Sequence, residues 1–138
     1  MNNYMNKTIK LCEKALKNKD IPVGCIIVKN NKIISKAYNK KYLNKDVTAH
    51  AEILAIRKAC KKLRTTHLDD CELYVSLEPC MMCTAAIIQA HIKKVVYCLE
   101  SPKYGYLLKV AKSNKIECVQ MYDQEYEKKL KDFFIDKR

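Results

Sequence analysis

Long apolar segments are missing from this sequence, and their absence excludes a protein that spans a membrane through a helix. The longest apolar runs are CIIV at 25–28 and AAII at 85–88, far short of the roughly 18 residues that a membrane-spanning helix requires. The amino-terminal stretch also lacks the uninterrupted apolar segment of a secretory signal, because lysines alternate with apolar residues from Lys7 to Lys19. We therefore expect a cytoplasmic protein with no membrane partner.

Internal repeats, flexible linkers and low-complexity tracts are also absent, and the whole chain contains only two glycines. A chain of 138 residues with 49% hydrophobic and 30% charged residues has the size and composition of one ordinary globular domain. We therefore expect a single domain over residues 1–138.

Acidic residues are few relative to basic ones, so the chain is strongly cationic. It carries 27 basic and 15 acidic residues, a formal net charge of +12, which would suit an anionic partner such as nucleic acid. Basic residues gather at 57–64 and 128–138, and the second segment includes Phe133 and Phe134. The alternative is a compositional bias, since 24 of the basic residues are lysine, with at least one of the two phenylalanines packing in the core.

Apolar residues recur with alternating helical and strand periods, which predicts one α/β sheet covered by helices. The first helix carries Met5, Ile9, Cys12 and Leu16 on one face, and a KNNK turn joins two β-rich runs at 23–38 into a hairpin. The remaining predicted elements, in chain order, are a helix at 49–63, a strand at 71–77, a helix from Pro79 to about His91, a strand at 93–99, a short helix ending near Ala111, a strand at 115–121 and a last helix striped by Tyr122, Tyr126, Leu130 and Phe133.

The eight cysteines require an explanation other than disulfides, because a cytosolic chain keeps its thiols reduced. Cys80 and Cys83 have the spacing of metal ligands, since two cysteines three positions apart in one helical turn can face a single ion. A redox pair and an accidental spacing are the alternatives. The other six lie in apolar patterns and are interpreted as small buried hydrophobic residues: Cys12, Cys25, Cys60, Cys71, Cys98 and Cys118.

A histidine and a glutamate open the second predicted helix, and the two cysteines open the third. In α/β proteins such helix starts can converge at the strand ends, where His50 would become a third ligand beside Cys80 and Cys83. Three protein ligands indicate a catalytic zinc, because structural zinc sites are usually closed by four. Glu52 is badly placed as a fourth ligand, and we expect it to transfer protons to and from the water that zinc activates.

The order H-x-E followed by P-C-x-x-C, formed here by His50 to Glu52 and by Pro79 to Cys83, is the signature of zinc-dependent nucleobase deaminases. Together with other segments it makes the chain resemble the bacterial tRNA adenosine deaminases, in the cytidine deaminase superfamily, over about residues 20–135. These enzymes convert the wobble adenosine of an anticodon loop to inosine. The segments that carry the resemblance are DIPVG at 20–24, NNKII, Asn39, TAHAEILAIR, LYVSLEPCMMC, IKKVVY and DFF.

The resemblance implies a three-layer α/β/α cytidine-deaminase-like fold, in which about five helices cover a five-stranded mixed sheet. It also implies a homodimer that acts on a tRNA anticodon stem-loop. One zinc ion per subunit would be held by His50, Cys80 and Cys83, and no organic cofactor is expected.

The same resemblance assigns roles to five residues around the base. Glu52 would protonate N1 of adenine and shuttle protons while hydroxide attacks C6 and ammonia leaves. Asn39 and the backbone N–H of Ala51 would hold the base edge. The side chains of Val23 and Leu77 would line the pocket.

The chain departs from the family pattern at several positions. Cys25, Val47 and Ala85 stand where the family commonly has alanine, proline and glycine, and we interpret them as packing changes. Ser101 stands where an aspartate usually opens a loop that faces the nucleic acid in the family, so this position bears on substrate choice.

Two other functions share parts of this pattern. A deaminase of free bases or nucleotides, of the guanine or cytosine type, has the same metal motif, but the DIPVG and DFF segments argue against it. A catalytically inactive RNA-binding subunit would keep zinc only for folding, and the presence of Glu52 argues against that. His67 and His91 lie outside the motif and are interpreted as structural.

Overall fold

Six helices and five strands make up the part of the chain that the computed structural model describes, residues 3–136. No helix in this range is long and apolar enough to cross a membrane. In chain order the elements are α1 (Tyr4–Lys17), β1 (Gly24–Lys29), β2 (Lys32–Tyr38), α2 (Lys41–Asn44), α3 (Ala51–Leu63), β3 (Glu72–Leu77), α4 (Met81–Gln89), β4 (Lys94–Leu99), α5 (Leu107–Val110), β5 (Glu117–Gln120) and α6 (Gln124–Asp136).

The five strands form one mixed sheet in the order β2-β1-β3-β4-β5. β1 pairs antiparallel with β2 and with β3, whereas β3, β4 and β5 run parallel to one another. Parallel neighbours need a crossover connection, and α4 and α5 lie in the two connections that the parallel strands require. The five-stranded mixed sheet expected from the sequence is confirmed.

Helices cover both faces of the sheet and produce the expected three-layer arrangement. One core lies between the sheet and α3, α4 and α5, and it includes the buried side chains of Ala55, Ile87 and Leu107. The other core lies between the sheet and α1 and α6, and it includes Cys12 and Tyr126. β1 is buried along almost its whole length, which accounts for its nearly continuous apolar sequence.

The predicted hairpin turn is confirmed, and its two asparagines explain its shape. Lys29 pairs with Lys32, which leaves Asn30 and Asn31 as a two-residue turn with φ values of 51° and 61°. Two-residue hairpin turns favour positive φ at both positions, and asparagine tolerates that conformation better than most residues.

Some element boundaries differ from the sequence-based expectation. We find six helices instead of about five, because the four residues of α2 are too short to show a helical period. α4 begins at Met81 with Cys80 as its N-cap, so Pro79 precedes the helix. α6 begins at Gln124, and Tyr122 lies outside it with 56% of its surface exposed, so Tyr122 is not part of the buried stripe.

The replacements interpreted as packing changes do not all lie in the core. Cys25 is fully buried in β1, as that interpretation requires. Val47 is 73% exposed and Ala85 is also exposed, so packing does not explain these two replacements.

A buried hydrogen bond ties the last helix to the segment before β1. Tyr126 is fully buried, and its hydroxyl donates to the carbonyl oxygen of Pro22 at 2.7 Å. An ion pair between Lys129 and Glu13 also joins α6 to α1. The bond to Pro22 holds the DIPVG segment that leads into β1 against α6.

Gly24 provides a test of how α1 packs on the sheet. A Cβ atom at this position would overlap the carbonyl oxygen of Thr8 and lie 2.9 Å from Cβ of Leu11. We predict that Gly24→Ala lowers the free energy of unfolding by about 1–3 kcal/mol in urea denaturation, because the close contact must be relieved by a backbone shift. Lys36→Ala, at an exposed position of β2, should change it by less than about 0.5 kcal/mol. Equal midpoints for Gly24→Ala and wild type would contradict this packing.

Candidate active site

Three side chains from two separate segments meet at one point in the structure. His50 Nδ1 lies 3.7 Å from Cys80 Sγ and 3.5 Å from Cys83 Sγ. Their possible ligand atoms all lie within 4.8 Å of one another, and in the described part of the chain this is the one such group of three or more His, Cys, Asp or Glu side chains. The structure therefore brings together the three residues predicted as ligands, and the group could hold a metal ion.

Two helix starts place these side chains. His50 is the N-cap of α3, and Cys80 is the N-cap of α4 with Cys83 in the first turn. Both caps have extended backbones, and neither side chain makes a capping hydrogen bond. The side chains can therefore turn towards each other, while the positive ends of both helix dipoles favour negative charge between them.

The geometry stabilises a thiolate at Cys80. A hydrogen bond from the Cys83 thiol, together with His50, lowers the pKa of Cys80 to about 3. The pKa of Cys83 is raised instead, because its thiol hydrogen-bonds to Cys80 and is buried. The hydrogen bond to Cys80 also raises the pKa of His50. Negative charge is therefore concentrated on the Cys80 sulfur, and a thiolate is the form of cysteine that binds metals.

Glu52 lies in the first turn of α3 and is almost completely buried, with 4% of its surface exposed. Its Oε1 atom is buried and has no hydrogen-bond partner. Burial raises the pKa of the Glu52 carboxyl to about 7. A buried carboxyl oxygen without a partner is costly to a folded protein, so such atoms are characteristic of sites that bind a ligand.

Asn39 and Ala51, both predicted to hold the substrate, bind each other. The Ala51 N–H donates to Oδ1 of Asn39 at 2.8 Å, which supplies the first turn of α3 with an acceptor that its own N-cap does not provide. Because a backbone N–H can only donate, the atom that it meets must be the amide oxygen, and the NH₂ group is what Asn39 can offer to a ligand. Ala51 itself is fully buried.

A cavity of about 890 Å³ connects these residues. His50, Glu52 and Cys80 line it, as do Asn39 and the apolar side chains of Val23 and Leu77. Sequence reasoning had placed all six at the site, and Ala51 reaches it only through its contact with Asn39.

The sequence points to two parts of the outer wall of this cavity, the loop that begins at Ser101 and the basic segment 128–138, but not to Lys41 or Glu78. The wall includes Lys41, Glu78, the loop at 100–104 and four side chains of α6: Glu127, Leu130, Lys131 and Phe134. The acidic residue directly after an apolar strand was a signal for Glu78, and the basic cluster at 128–138 was a signal for α6.

The two histidines outside the motif lie outside the cavity as well. The rings of His67 and His91 stack on each other, with their centroids 4.4 Å apart. Neither ring lines the cavity that contains His50 and Glu52.

Comparison with known proteins identifies the class to which this fold and site belong. A model of the MafB19-like deaminase family matches residues 1–138, so the chain is a deaminase of this family. It is 44% identical to the tRNA-specific adenosine deaminase of Aquifex aeolicus over 107 aligned residues. These residues make up 78% of this chain and 71% of the Aquifex protein. The tRNA-specific adenosine deaminase of Bacillus subtilis is 41% identical over 102 aligned residues, which make up 74% of this chain and 63% of the Bacillus protein. The chain belongs to the tRNA-specific adenosine deaminase family.

Solved structures support the same fold. A structure from a study of A-to-I editing by tRNA:A34 deaminases superposes with a TM-score of 0.79 at 32% identity, covering 86% of this chain and 96% of that chain. A guanine deaminase from Bacillus subtilis superposes with a TM-score of 0.69, also at 32% identity, covering 98% of this chain and 95% of that chain.

Asn39 allows the support of α3 to be tested. We predict that Asn39→Ala lowers the free energy of unfolding by about 1–2 kcal/mol, because the buried Ala51 N–H loses its acceptor. Urea denaturation measures the change. The matched control is Asn44→Ala, since Asn44 is exposed at the end of α2 and its side chain should contribute less than about 0.5 kcal/mol. Equal losses in the two variants would contradict the proposed support.

Proposed function

We propose that this chain is a zinc-dependent enzyme that converts the wobble adenosine of a tRNA anticodon loop to inosine. The observation that carries the proposal is the position of the Glu52 carboxyl, buried and with Oε1 unpartnered, in the same cavity as the cluster of His50, Cys80 and Cys83. A structural metal site needs no such carboxyl, whereas hydrolytic deamination needs a group that moves protons.

The residues present fit a zinc ion. One imidazole and two thiols are ligands that zinc prefers, and Cys80 is already stabilised as a thiolate. Three ligands leave one position of a tetrahedral shell for water. When bound, zinc would supply hydroxide near neutral pH by lowering the pKa of water from 15.7 to about 7.

Glu52 provides the proton transfer in this proposal. Its buried carboxyl accepts a proton from water and delivers it to N1 of adenine. It then takes the proton of the hydroxyl group added at C6 and passes it to the amino group, which leaves as ammonia while C6 becomes a carbonyl. A carboxyl whose pKa is raised towards neutrality is suited to both donating and accepting.

Asn39 and the apolar side chains orient the base. The NH₂ group of Asn39 donates to an acceptor on the edge of the purine, while the Ala51 N–H holds Asn39 in place. Val23 and Leu77 line the same cavity and offer apolar contacts to the base. Ala51 thus contributes to base recognition through its bond to Asn39.

The outer wall of the cavity suits a nucleic acid better than a free base. The wall contains three lysines and two aromatic rings: Lys41, Lys103, Lys131, Tyr104 and Phe134. The exposed fraction is 66% for Tyr104 and 47% for Phe134. Lysines can contact phosphates, and exposed aromatic rings can stack on unpaired bases. Bases in single-stranded loops are accessible to such a site without unpairing a duplex.

The second candidate is a deaminase of free guanine, which the similarity to the Bacillus subtilis guanine deaminase favours. It would use the same metal cluster and Glu52, but it would have no use for the lysines and exposed aromatic rings at the cavity mouth. As part of the main proposal the chain acts in the cytoplasm as a homodimer without an organic cofactor. Light scattering in solution would then give twice the chain mass of 16.1 kDa.

An assay with two substrates separates these candidates. We expect the purified protein to form inosine in an anticodon stem-loop with adenosine at the wobble position, and to release no ammonia from free guanine or cytosine. Glu52→Ala should reduce turnover by about 10²–10⁴-fold, because the proton carrier is lost, while zinc content stays unchanged. Ammonia from guanine without inosine in the RNA would favour the second candidate, and a fully active Glu52→Ala would exclude the role of this carboxyl.

Metal content tests the ligand set independently of activity. We expect about one zinc per chain by plasma emission spectrometry. Cys83→Ser should lose the metal and unfold at a lower temperature, because a hydroxyl is a poor replacement for a thiolate ligand. Cys118→Ser removes a half-buried thiol outside the cluster and should keep the metal. Equal zinc in the two variants would show that Cys83 is not a ligand.

A further inference from the structure

One buried carboxylate holds both ends of the loop that closes the cavity. Glu78 follows β3 and is 7% exposed. Its Oε1 accepts the Ser101 N–H at 3.1 Å, and its Oε2 accepts the Leu108 N–H at 3.0 Å. These two amides lie on either side of the segment 102–107, so a single side chain clamps the loop at its beginning and its end.

Gly105 completes this clamp through its lack of a side chain. Its N–H donates to the Ser101 carbonyl oxygen at 2.8 Å, which folds the loop back on itself. A Cβ atom at this position would overlap Oε1 of Glu78 and crowd the Ser101 carbonyl. The φ of Gly105 is not positive, so glycine is required here for close approach to the carboxylate and not for an unusual backbone conformation.

The clamped loop carries two residues suited to binding RNA. Lys103 and Tyr104 both line the cavity, and the lysine Nζ lies 5.3 Å from the centre of the tyrosine ring. Tyr104 is 66% exposed, so a base can stack on its ring while the neighbouring ammonium group contacts a phosphate. Both side chains lie between the amides that Glu78 anchors, and on the carboxyl side the Tyr106 N–H also donates to the Pro79 carbonyl oxygen at 3.0 Å. The Ser101 end of the loop therefore depends most on the Glu78 carboxylate.

We infer that Glu78 is a positioning residue for RNA recognition: it holds the 101–108 segment so that Lys103 and Tyr104 stand at the cavity mouth, where they bind the nucleotides next to the reacting adenosine. The inference rests on the proposed function. It assigns to Glu78 no contact with the base and no part in proton transfer.

Direct binding tests the inference without relying on turnover. The protein is the zinc-loaded full chain carrying Glu52→Ala, and the probe is a fluorescent anticodon stem-loop with adenosine at the wobble position, titrated by anisotropy. Glu78→Gln should weaken binding roughly tenfold, because a carboxamide presents one oxygen and one NH₂ group to two N–H donors. Gly105→Ala, which disturbs the clamp from the loop side, should have a similar effect.

Non-additivity distinguishes positioning from a general loss of structure. Lys103→Ala/Tyr104→Ala should weaken binding roughly tenfold, and adding Glu78→Gln to it should weaken binding by no more than about twofold further. In the chain with Glu52 intact, Glu78→Gln should raise KM for the stem-loop by the same factor as Kd, with a smaller change in kcat.

Matched controls lie outside the cavity. Glu117→Gln removes an exposed carboxylate, and Lys112→Ala removes an exposed lysine; each should change Kd by less than about twofold. Zinc content should match wild type in every variant. Wild-type binding by both Glu78→Gln and Gly105→Ala, or effects of Glu78→Gln and the double variant that multiply, would overturn the inference alone. A wild-type chain that neither binds nor deaminates the stem-loop would instead overturn the proposed function.

Discussion

The amino-terminal ends of α3 and α4 meet beside the sheet, and the chemistry of the molecule depends on that meeting. Each helix start supplies a side chain that does not cap its own helix, His50 from one and Cys80 from the other. The two dipoles point their positive ends at the same small volume and support negative charge there. Glu52, in the first turn of α3, is then carried into a buried position where its Oε1 atom has no hydrogen-bond partner. Antiparallel β1 and parallel β3 and β4 are the framework that sets the two helices side by side.

The sequence predicted those residues of the site that lie a few positions apart in the chain. Cys80 and Cys83 are separated by one helical turn, and His50 and Glu52 share the first turn of another helix, so their relation does not depend on distant segments. Lys41 and Glu78 were not predicted, because they reach the outer wall only through the packing of α2 and of the segment after β3. The short helix α2 was not predicted, because four residues are too few to show a helical period of apolar residues.

The sequence pattern also predicted a buried position for a residue that tertiary structure leaves exposed. Tyr122 fits the apolar stripe that the sequence predicts for the last helix. In the structure α6 begins two residues later, at Gln124, and the ring of Tyr122 is exposed. The Ala51 N–H was predicted to bind the substrate, and in the structure it donates to Oδ1 of Asn39. A pattern of residues can predict which groups gather, but it does not determine which of them bind one another.

The hydrogen bond from Tyr126 to Pro22 spans 104 positions of the chain, and it helps to hold α6 against the rest of the molecule. The cluster of His50, Cys80 and Cys83 and all five strands come from segments that precede α6. α6 adds Leu130, Lys131 and Phe134 to the wall that encloses a substrate. Loosening the packing of α6 would therefore open the wall of the cavity while leaving the cluster in place.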